Sequence, residues 1–212
     1  MRVLVTAGPT REAIDPVRYI SNRSSGRMGF ALARAAVEAG HEVVLVAGPV
    51  SLPTPRGVSR RIDIESAEEM ARATLAELPK ADALFMAAAV ADFTLQRVAR
   101  KKLKKADGIP ELKLVRTRDV LDIAGRRKRP GQVICGFDAE TGEARTEALR
   151  KLKSKKLDWI VANDVSRPGC GFATKTNAVA IHGRDGTEKN VGLRSKLACA
   201  RIILATVLGT GK

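Results

Sequence analysis

A serine pair and a glycine stand directly before a strongly periodic helical segment, in the stretch SSGRMGFALARAAVEAG. Ser24, Ser25 and Gly26 would present hydroxyl groups and free backbone N–H groups at the positive end of the helix dipole. Such an arrangement is suited to binding a phosphate group. The same residues are equally compatible with an ordinary helix cap, so this motif alone leaves both interpretations open.

An unusually long polar segment separates this helix from the first predicted strand. The strand is RVLVTAG (2–8), and the segment DPVRYISNRSSGRMG (15–29) follows it before the helix is established. Most connections between neighbouring elements are shorter, and longer ones often carry function. We therefore expect this first loop to bind a ligand.

Positive charge is the second chemical signal. The chain has 38 Lys and Arg against 23 Asp and Glu, a formal net charge of +15, which predicts polyanionic partners such as phosphorylated metabolites, nucleic acid or an anionic membrane surface. The basic residues concentrate at 97–105, 126–129 and 150–156. Aromatic residues make up only 3% and do not alternate with them, so stacking platforms for single strands are missing. A basic nucleic-acid-binding module remains an alternative but is not favoured.

Other kinds of site find little support in the residue types. His41 and His182 lie in no motif, which weighs against a Ser-His-Asp site. Cys135, Cys170 and Cys199 are widely spaced, which predicts buried apolar roles and neither a disulfide framework nor a zinc site. The sequence has no apolar run long enough to span a bilayer and no secretory leader, so we expect a cytoplasmic protein without membrane attachment.

Strand-like and helix-like periods alternate along the chain, as in a parallel sheet covered by helices. The predicted elements are strand 2–8, helix 27–40, strand 41–48, strand 58–64, helix 66–78, a strand from 81, short strand 111–115, a helix from 118, strand 132–137, a helix to 156, strand 157–164, hairpin 177–192 with an Asp-Gly turn, and helix 195–208. A chain of 212 residues suits one domain, 1–212. The predicted fold class is α/β: a Rossmann-like three-layer domain with a mostly parallel sheet and a small antiparallel hairpin appendage.

The usual dinucleotide fingerprint of such a sheet is absent. Strand 2–8 is not followed by G-x-G-x-x-G, and strand 41–48 ends in VAGP where an acidic residue would bind a ribose hydroxyl. A Rossmann-type NAD(P)-dependent oxidoreductase or epimerase is therefore the weaker alternative. We still expect a ligand at the carboxyl ends of the strands, near the point where strand order reverses.

Five segments in order resemble one protein family. They are VTAGPTREAIDPVRYISNRSSGRMGFALA (5–33), AAAVADF (87–93), Lys-x-Lys-Lys (102–105), GFDAET (136–141) and IVANDV (160–165). Together they resemble the phosphopantothenoylcysteine synthetase domain of coenzyme A biosynthesis, which in bacteria commonly forms the second half of a bifunctional flavoprotein behind a decarboxylase. The resemblance implies a ligase that joins 4′-phosphopantothenate and cysteine while CTP is cleaved to CMP and pyrophosphate through an acyl-cytidylate, with no protein nucleophile.

The resemblance also implies roles on the substrate side of the site. Arg18 and Asn22 match the family's R-Y-I-S-N segment and are implied to face phosphopantothenate and the acyl-phosphate as catalytic and substrate-binding residues. The structural alternative is a loop-bracing ion pair and an Asx turn. Ala89 is implied to contact substrate. Lys102 is implied to be a catalytic residue in a lid over the phosphates, whereas we expect Lys104 to be solvated.

A nucleotide site is implied by the same resemblance. Met86, Ala87 and Ala88 would lie along the cytosine, and Asp92 would bind the base or ribose or help to hold Mg²⁺ on the triphosphate. Arg118 stands where the family has proline, which leaves the local turn uncertain. The full implied set is Ser24, Ser25, Gly26, Met86, Ala87, Ala88, Asp92, Lys102, Arg118, Asp119, Val120, Leu121, Phe137, Lys151 and Lys155.

The implied partners are small molecules and a second copy of the chain. The substrates would be 4′-phosphopantothenate, cysteine and CTP, with Mg²⁺ as the cofactor. A homodimer is expected, for which hairpin 177–192 is the predicted pairing surface. A flavin-dependent decarboxylase would be fused to this chain or separate from it.

Overall fold

The strands and helices of the protein alternate over most of the chain. The structure, a computed structural model, describes residues 1–142, 144–172 and 174–209. Its elements are β1 (Arg2–Ala7), β2 (Arg11–Ala13), β3 (Tyr19–Ser21), α1 (Arg27–Glu38), β4 (Glu42–Ala47), β5 (Arg60–Asp63), α2 (Ala67–Glu77), β6 (Ala83–Met86), β7 (Phe93–Leu95), β8 (Leu114–Arg116), α3 (Val120–Arg127), β9 (Val133–Glu140), α4 (Ala144–Ser154), β10 (Trp159–Asp164), β11 (Thr176–Gly183), β12 (Glu188–Ser195) and α5 (Lys196–Leu208).

One large sheet organises the fold. Its eight strands run in the order β12-β11-β10-β9-β6-β1-β4-β5. The strands from β10 to β5 pair in parallel, and β11 and β12 are antiparallel to their neighbours. Numbered along the chain, the parallel strands stand in the order third, second, first, fourth, fifth, sixth, which is the doubly wound Rossmann order. Strand order therefore reverses between β1 and β6.

The sheet is buried on both faces. On β1, Val3 and Val5 pack in the cluster with α1 and α5, whereas Leu4 packs in the cluster with α2, α3 and α4. Successive strand residues point to opposite faces. A strand that is covered on both faces therefore has a continuous apolar run in its sequence. This explains why RVLVTA has no polar alternation, and the predicted three-layer α/β class is confirmed.

The structure shows which strands the predicted hairpin and the predicted short strand pair with, and it corrects the bounds of the short strand. Hairpin 177–192 forms around the predicted Asp-Gly turn, and β11 pairs antiparallel with β10, so the hairpin extends the main sheet at that edge. Its physical role is to pair the open edge that β10 would otherwise expose. The strand predicted at 111–115 forms at Leu114–Arg116 and pairs with β7 in a separate two-stranded sheet. The first loop also contains a small sheet, β2–β3, which the sequence did not predict.

Several local features follow the sequence closely. The Ser66 hydroxyl caps α2 by accepting from the Glu69 N–H at 3.2 Å. All three cysteines are free and buried, as predicted. Across residues 1–142, 144–172 and 174–209, no helix is long and apolar enough to cross a membrane.

Candidate active site

A cleft of about 790 Å³ opens at the carboxyl ends of the central parallel strands. It lies where strand order reverses between β1 and β6 and extends past β9, and its volume is typical of a small-molecule site. Most of the residues implied by the family motifs line it: Asn22, Ser24, Ser25, Gly26, Met86, Ala87, Ala88, Ala89, Asp92, Arg118, Asp119, Val120, Leu121, Phe137, Lys151 and Lys155.

The N-terminus of α1 forms one wall of the cleft. Gly26 occupies the N-cap position with a φ of 75°, and no side chain caps the helix. The Ser24 hydroxyl accepts from the Gly26 N–H at 3.3 Å, and the Ser25 hydroxyl donates to the Phe172 carbonyl at 2.5 Å. The two serines are thus engaged within the protein, and the first-turn N–H groups of α1 are what this wall offers to an anion.

The segment after β6 forms the opposite wall and is fixed to the first strand. The Ala88 N–H donates to the Thr6 hydroxyl at 3.2 Å, and the Ala91 N–H donates to the Thr10 hydroxyl at 3.0 Å. Both threonines are fully buried. A buried hydroxyl group that lost its hydrogen bond would cost free energy. The two threonines therefore keep the backbone of this wall in place. Sequence reasoning missed them, although both lie in the motif segment VTAGPT.

Asn22 connects the two walls. Its Nδ2 donates to the carbonyl oxygens of Ala89 at 3.0 Å and Val90 at 3.2 Å. Both amide hydrogens therefore have acceptors within the protein, and the Oδ1 atom is the polar atom left for a ligand. The structure brings Asn22 to the cleft, as the sequence prediction requires. Its implied role as a donor to the acyl-phosphate stays a prediction.

Two of the three lysines implied for the nucleotide site, Lys151 and Lys155, are paired with carboxylates. Lys151 Nζ contacts Asp138 Oδ1 at 2.6 Å and Glu140 Oε1 at 3.0 Å, and Lys155 Nζ contacts Asp119 Oδ2 at 2.8 Å. Burial alone would lower the pKa of Lys151, but its hydrogen bonds to Asp138 and Glu140 outweigh burial and raise that pKa. Lys151 consequently stays protonated and brings less net charge to the cleft than a free lysine would.

Asp138 is a cleft residue that the sequence prediction did not single out. It is only 6% exposed, and its Oδ2 atom has no hydrogen-bond partner in the described part of the chain. Burial raises the pKa of this carboxyl, and Glu140 adds to that effect, while Lys151 acts in the opposite direction. A buried acceptor without a partner is costly, so Asp138 is suited to accept a hydrogen bond from a ligand.

The turn that precedes α3 completes the cleft rim. Asp119 caps the helix by accepting from the Asp122 N–H at 2.9 Å. The Arg118 side chain instead reaches Glu68, with Nη1 and Oε1 3.0 Å apart. The replacement of the family's proline by Arg118 therefore leaves an ordinary capped helix start, and the turn that the sequence left uncertain is defined.

Residues 1–210 match the sequence model of one protein family. That family is described as the DNA/pantothenate metabolism flavoprotein C-terminal domain. The chain belongs to this family. The family resemblance expected from the motifs is confirmed.

Relatives in this family are longer proteins. The coenzyme A biosynthesis bifunctional protein CoaBC of Bacillus subtilis is 46% identical over 210 residues, which cover 99% of this chain and 52% of that protein. The protein of the same name from Escherichia coli is 42% identical over 211 residues, which cover 98% of this chain and 52% of that protein. The chain thus spans about half the length of the curated relatives it matches.

Solved structures agree with the fold. The C-terminal domain of a coenzyme A biosynthesis bifunctional protein CoaBC superposes with a TM-score of 0.82 at 39% identity, covering 98% of this chain and 95% of that chain. A Cab2 mutant in complex with phosphopantothenate-cysteine superposes with a TM-score of 0.77 at 17% identity, covering 98% of this chain and 85% of that chain. The second likeness supports the fold alone.

Two residues implied by the family motifs lie outside the cleft lining. Arg18 Nε donates to Asp15 Oδ2 at 3.0 Å, and Arg18 Nη2 donates to the Leu103 carbonyl at 2.9 Å. This is the loop-bracing ion pair that stood as the structural alternative for Arg18. Lys102, next to Leu103, is exposed and also does not line the cleft. Direct contact of either side chain with substrate therefore stays a prediction.

Proposed function

We propose that this chain is the ligase that joins 4′-phosphopantothenate to L-cysteine while CTP is cleaved to CMP and pyrophosphate. The observation that carries the proposal is the convergence of separate motif segments, 22–26, 86–92, 118–121 and 137–140, on one cleft at the strand-order reversal. The names of the relatives give further support, since they are coenzyme A biosynthesis proteins and match nearly the whole chain.

The proposed reaction has two displacement steps. A carboxylate is a poor acyl donor, so a phosphopantothenate carboxylate oxygen first attacks the α-phosphorus of CTP, and pyrophosphate leaves. The cysteine amine then attacks the acyl carbon of the acyl-cytidylate, CMP leaves, and the amine loses a proton. No protein nucleophile takes part, so the site acts by positioning the reactants and by stabilising charge on phosphate.

The geometry of the two walls supports both tasks, the positioning of the reactants and the stabilisation of charge on phosphate. The uncapped α1 N-terminus behind Gly26 offers N–H groups to phosphate oxygens. Small side chains at Ala87 and Ala88 leave room for a flat base on the opposite wall. Asn22 and Ala89 stand at the junction of the walls, where we expect the carboxylate and the α-phosphate to meet.

We propose that CTP binds together with Mg²⁺, which would be held by the triphosphate. Within the described residues, no group of three or more His, Cys, Asp or Glu side chains could hold a metal ion. Asp92 nevertheless presents an exposed side chain in the cleft, and Mg²⁺ commonly needs only one or two carboxylates when phosphates and water fill its remaining positions. Asp92 thus fits as the protein ligand, and the ion would neutralise charge on the triphosphate.

A homodimer is also part of the proposal, and we propose a surface for it other than hairpin 177–192. Six of the ten large exposed apolar side chains in the described part of the chain lie on the small sheets β2–β3 and β7–β8 or on the segments beside them: Val17, Tyr19, Phe93, Val98, Leu114 and Val115. The other four are Met1, Ile109, Leu112 and Leu193, of which Leu193 lies on β12. We expect the wild type to sediment as a dimer and Leu114→Glu to sediment as a monomer, and a monomeric wild type would overturn this part.

Because the relatives are about twice as long, we propose that the chain works with a flavin-dependent decarboxylase, fused or separate. A cytoplasmic location stays a prediction from the sequence.

The test of the proposed function is a complete reaction mixture. Phosphopantothenate, cysteine and each of the four common nucleoside triphosphates are supplied in turn with Mg²⁺, and pyrophosphate and phosphopantothenoylcysteine are measured. The proposal expects both products only when all three substrates are present. Pyrophosphate released without phosphopantothenate, or no product with any nucleotide, would contradict it.

A further inference from the structure

The Asp15 carboxylate joins the first loop to a distant part of the chain. Its side chain is fully buried. Oδ1 accepts from the Val17 N–H at 2.8 Å and the Arg18 N–H at 2.9 Å, which is a local turn. Oδ2 accepts from Arg18 and also from the Leu103 N–H at 3.1 Å, 88 residues further along the chain. The second oxygen therefore does more than shape its own loop.

Two further bonds strengthen this connection. Arg18 Nη2 donates to the Leu103 carbonyl at 2.9 Å, so Asp15 and Arg18 bind both polar backbone groups of Leu103. The Ala99 N–H donates to the Ile14 carbonyl at 3.0 Å. Residues 104–106 and 108–113, which follow, are exposed. The attachment thus ends one residue beyond Lys102.

We propose that Asp15 is a positioning residue that holds the backbone beside Lys102. The Lys102 ammonium then reaches the triphosphate from a backbone position that is fixed. The inference rests on the proposed function. Asp15 lies outside the cleft lining, so it acts through Leu103 and Arg18. Breaking the charge-assisted hydrogen bonds to a buried carboxylate costs a large amount of free energy. A loop anchored in this way loses less freedom when its lysine engages phosphate, and small misplacements in such contacts cost rate.

A double-mutant cycle tests the inference. Asp15→Asn keeps the side-chain shape but removes the charge that holds Arg18. We expect it to lower kcat by about 10- to 100-fold, in the range that misplacement can cost, with a smaller change in the KM for CTP. In the Lys102→Gln background the same change should lower kcat no further, because the two residues act as one unit. An equal loss in both backgrounds would overturn the inference.

The matched control is Asp63→Asn. Asp63 Oδ1 also pairs with an arginine, Arg61 Nε, at 2.7 Å, but its side chain is 68% exposed and lies away from the cleft lining. We expect kcat and KM to stay at wild-type values. If Asp15→Asn does not fold, Arg18→Lys takes its place in the cycle, because it keeps the charge and loses the fork that reaches the Leu103 carbonyl.

Hydrogen exchange of the 99–103 amides provides a readout independent of turnover. Asp15→Asn should accelerate exchange there and leave the β1 amides unchanged. Unchanged exchange at 99–103 would overturn the attachment itself. If the wild type forms no pyrophosphate at all, the proposed function fails and the catalytic part of this inference fails with it, whereas accelerated exchange without a kcat effect overturns only the positioning role.

Discussion

Asn22 and Ala89, 67 residues apart in the chain, are joined by a 3.0 Å hydrogen bond from Nδ2 to the carbonyl oxygen. With the second bond to the Val90 carbonyl, it connects the long first loop to the segment after β6. The first loop is long because it runs from β1 to the opposite wall of the cleft before α1 begins.

Asn22→Asp should slow catalysis strongly while leaving the fold intact. A carboxylate cannot donate to the Ala89 and Val90 carbonyls and would repel them as well as any nearby phosphate. The lost connection between the two walls would misplace the reactants, and misplacement can cost about a hundredfold in rate, so we expect amide formation to fall at least about a hundredfold. Both hydrogen bonds are exposed to solvent, so water can replace Asn22 as their donor and the melting temperature should change little. Asn190→Asp, exposed on β12, is the control, and normal turnover by Asn22→Asp would remove Asn22 from the site.

CTP should outperform ATP as co-substrate. The wall begins at Met86, the end of β6, and continues with the small side chains of Ala87 and Ala88, so we expect its backbone groups to read the edge of a compact base. The measurement is kcat/KM for each nucleotide at saturating phosphopantothenate and cysteine. An equal or higher value for ATP would show that the base site is wrongly assigned.

Lys102→Gln should reduce turnover more than it reduces CTP binding. Lys102 does not line the cleft in this structure, so its ammonium contributes little to ground-state binding and most once charge develops on phosphate. Lys104→Gln, also exposed, is the matched control and should do much less. Similar losses at the two positions would mean that the basic run acts as a diffuse electrostatic patch.

Gly26→Ala should weaken both folding and nucleotide binding. Gly26 has a φ of 75°, and a Cβ there would lie 3.0 Å from Val50 Cγ1. A left-handed conformation costs an L-residue about 1–2 kcal/mol, which corresponds to roughly 2–8 °C in melting temperature for a chain of this size. Gly40→Ala has the same sign of φ with nothing within 4 Å, so it should lower stability without changing CTP affinity. Equal CTP affinities in the two variants would argue against an anion site at α1.

The stabilising effect of Asp15 should depend on pH. Its hydrogen bond from Arg18 holds the pKa of this carboxyl well below its usual range, burial opposes that shift, and backbone N–H groups add to it. A lowered folded-state pKa contributes stability above the unfolded-state value, about 3.9, and that contribution is lost as the pH falls through the folded-state pKa. The melting temperatures of wild type and Asp15→Asn should therefore differ most near neutral pH and begin to converge as the pH falls below about 4. A difference independent of pH would contradict this account.

Much of this protein is determined by its sequence alone because the relevant interactions are local. The cap formed by Ser66 and Glu69 and the hairpin turn at Gly186 involve residues within a few positions of one another. Periodicity over ten or so residues likewise predicts which segments become strands or helices. The order of the motif segments was sufficient to predict the family, and the alternation of strands with helices was sufficient to expect a ligand at the carboxyl ends of the strands.

Only the tertiary structure decided which distant groups meet. Asp15 meets Leu103 across 88 residues, Thr6 meets Ala88 across 82, and Lys151 is neutralised by Asp138 from a neighbouring strand. No spacing rule links these residues, since their contacts depend on sheet register and on the paths of the loops. For the same reason the hairpin was predicted correctly as a local unit, but the strand with which it pairs was not predicted. Pairing with β10 is a contact between strand edges, and every strand carries the same backbone groups, whatever its sequence.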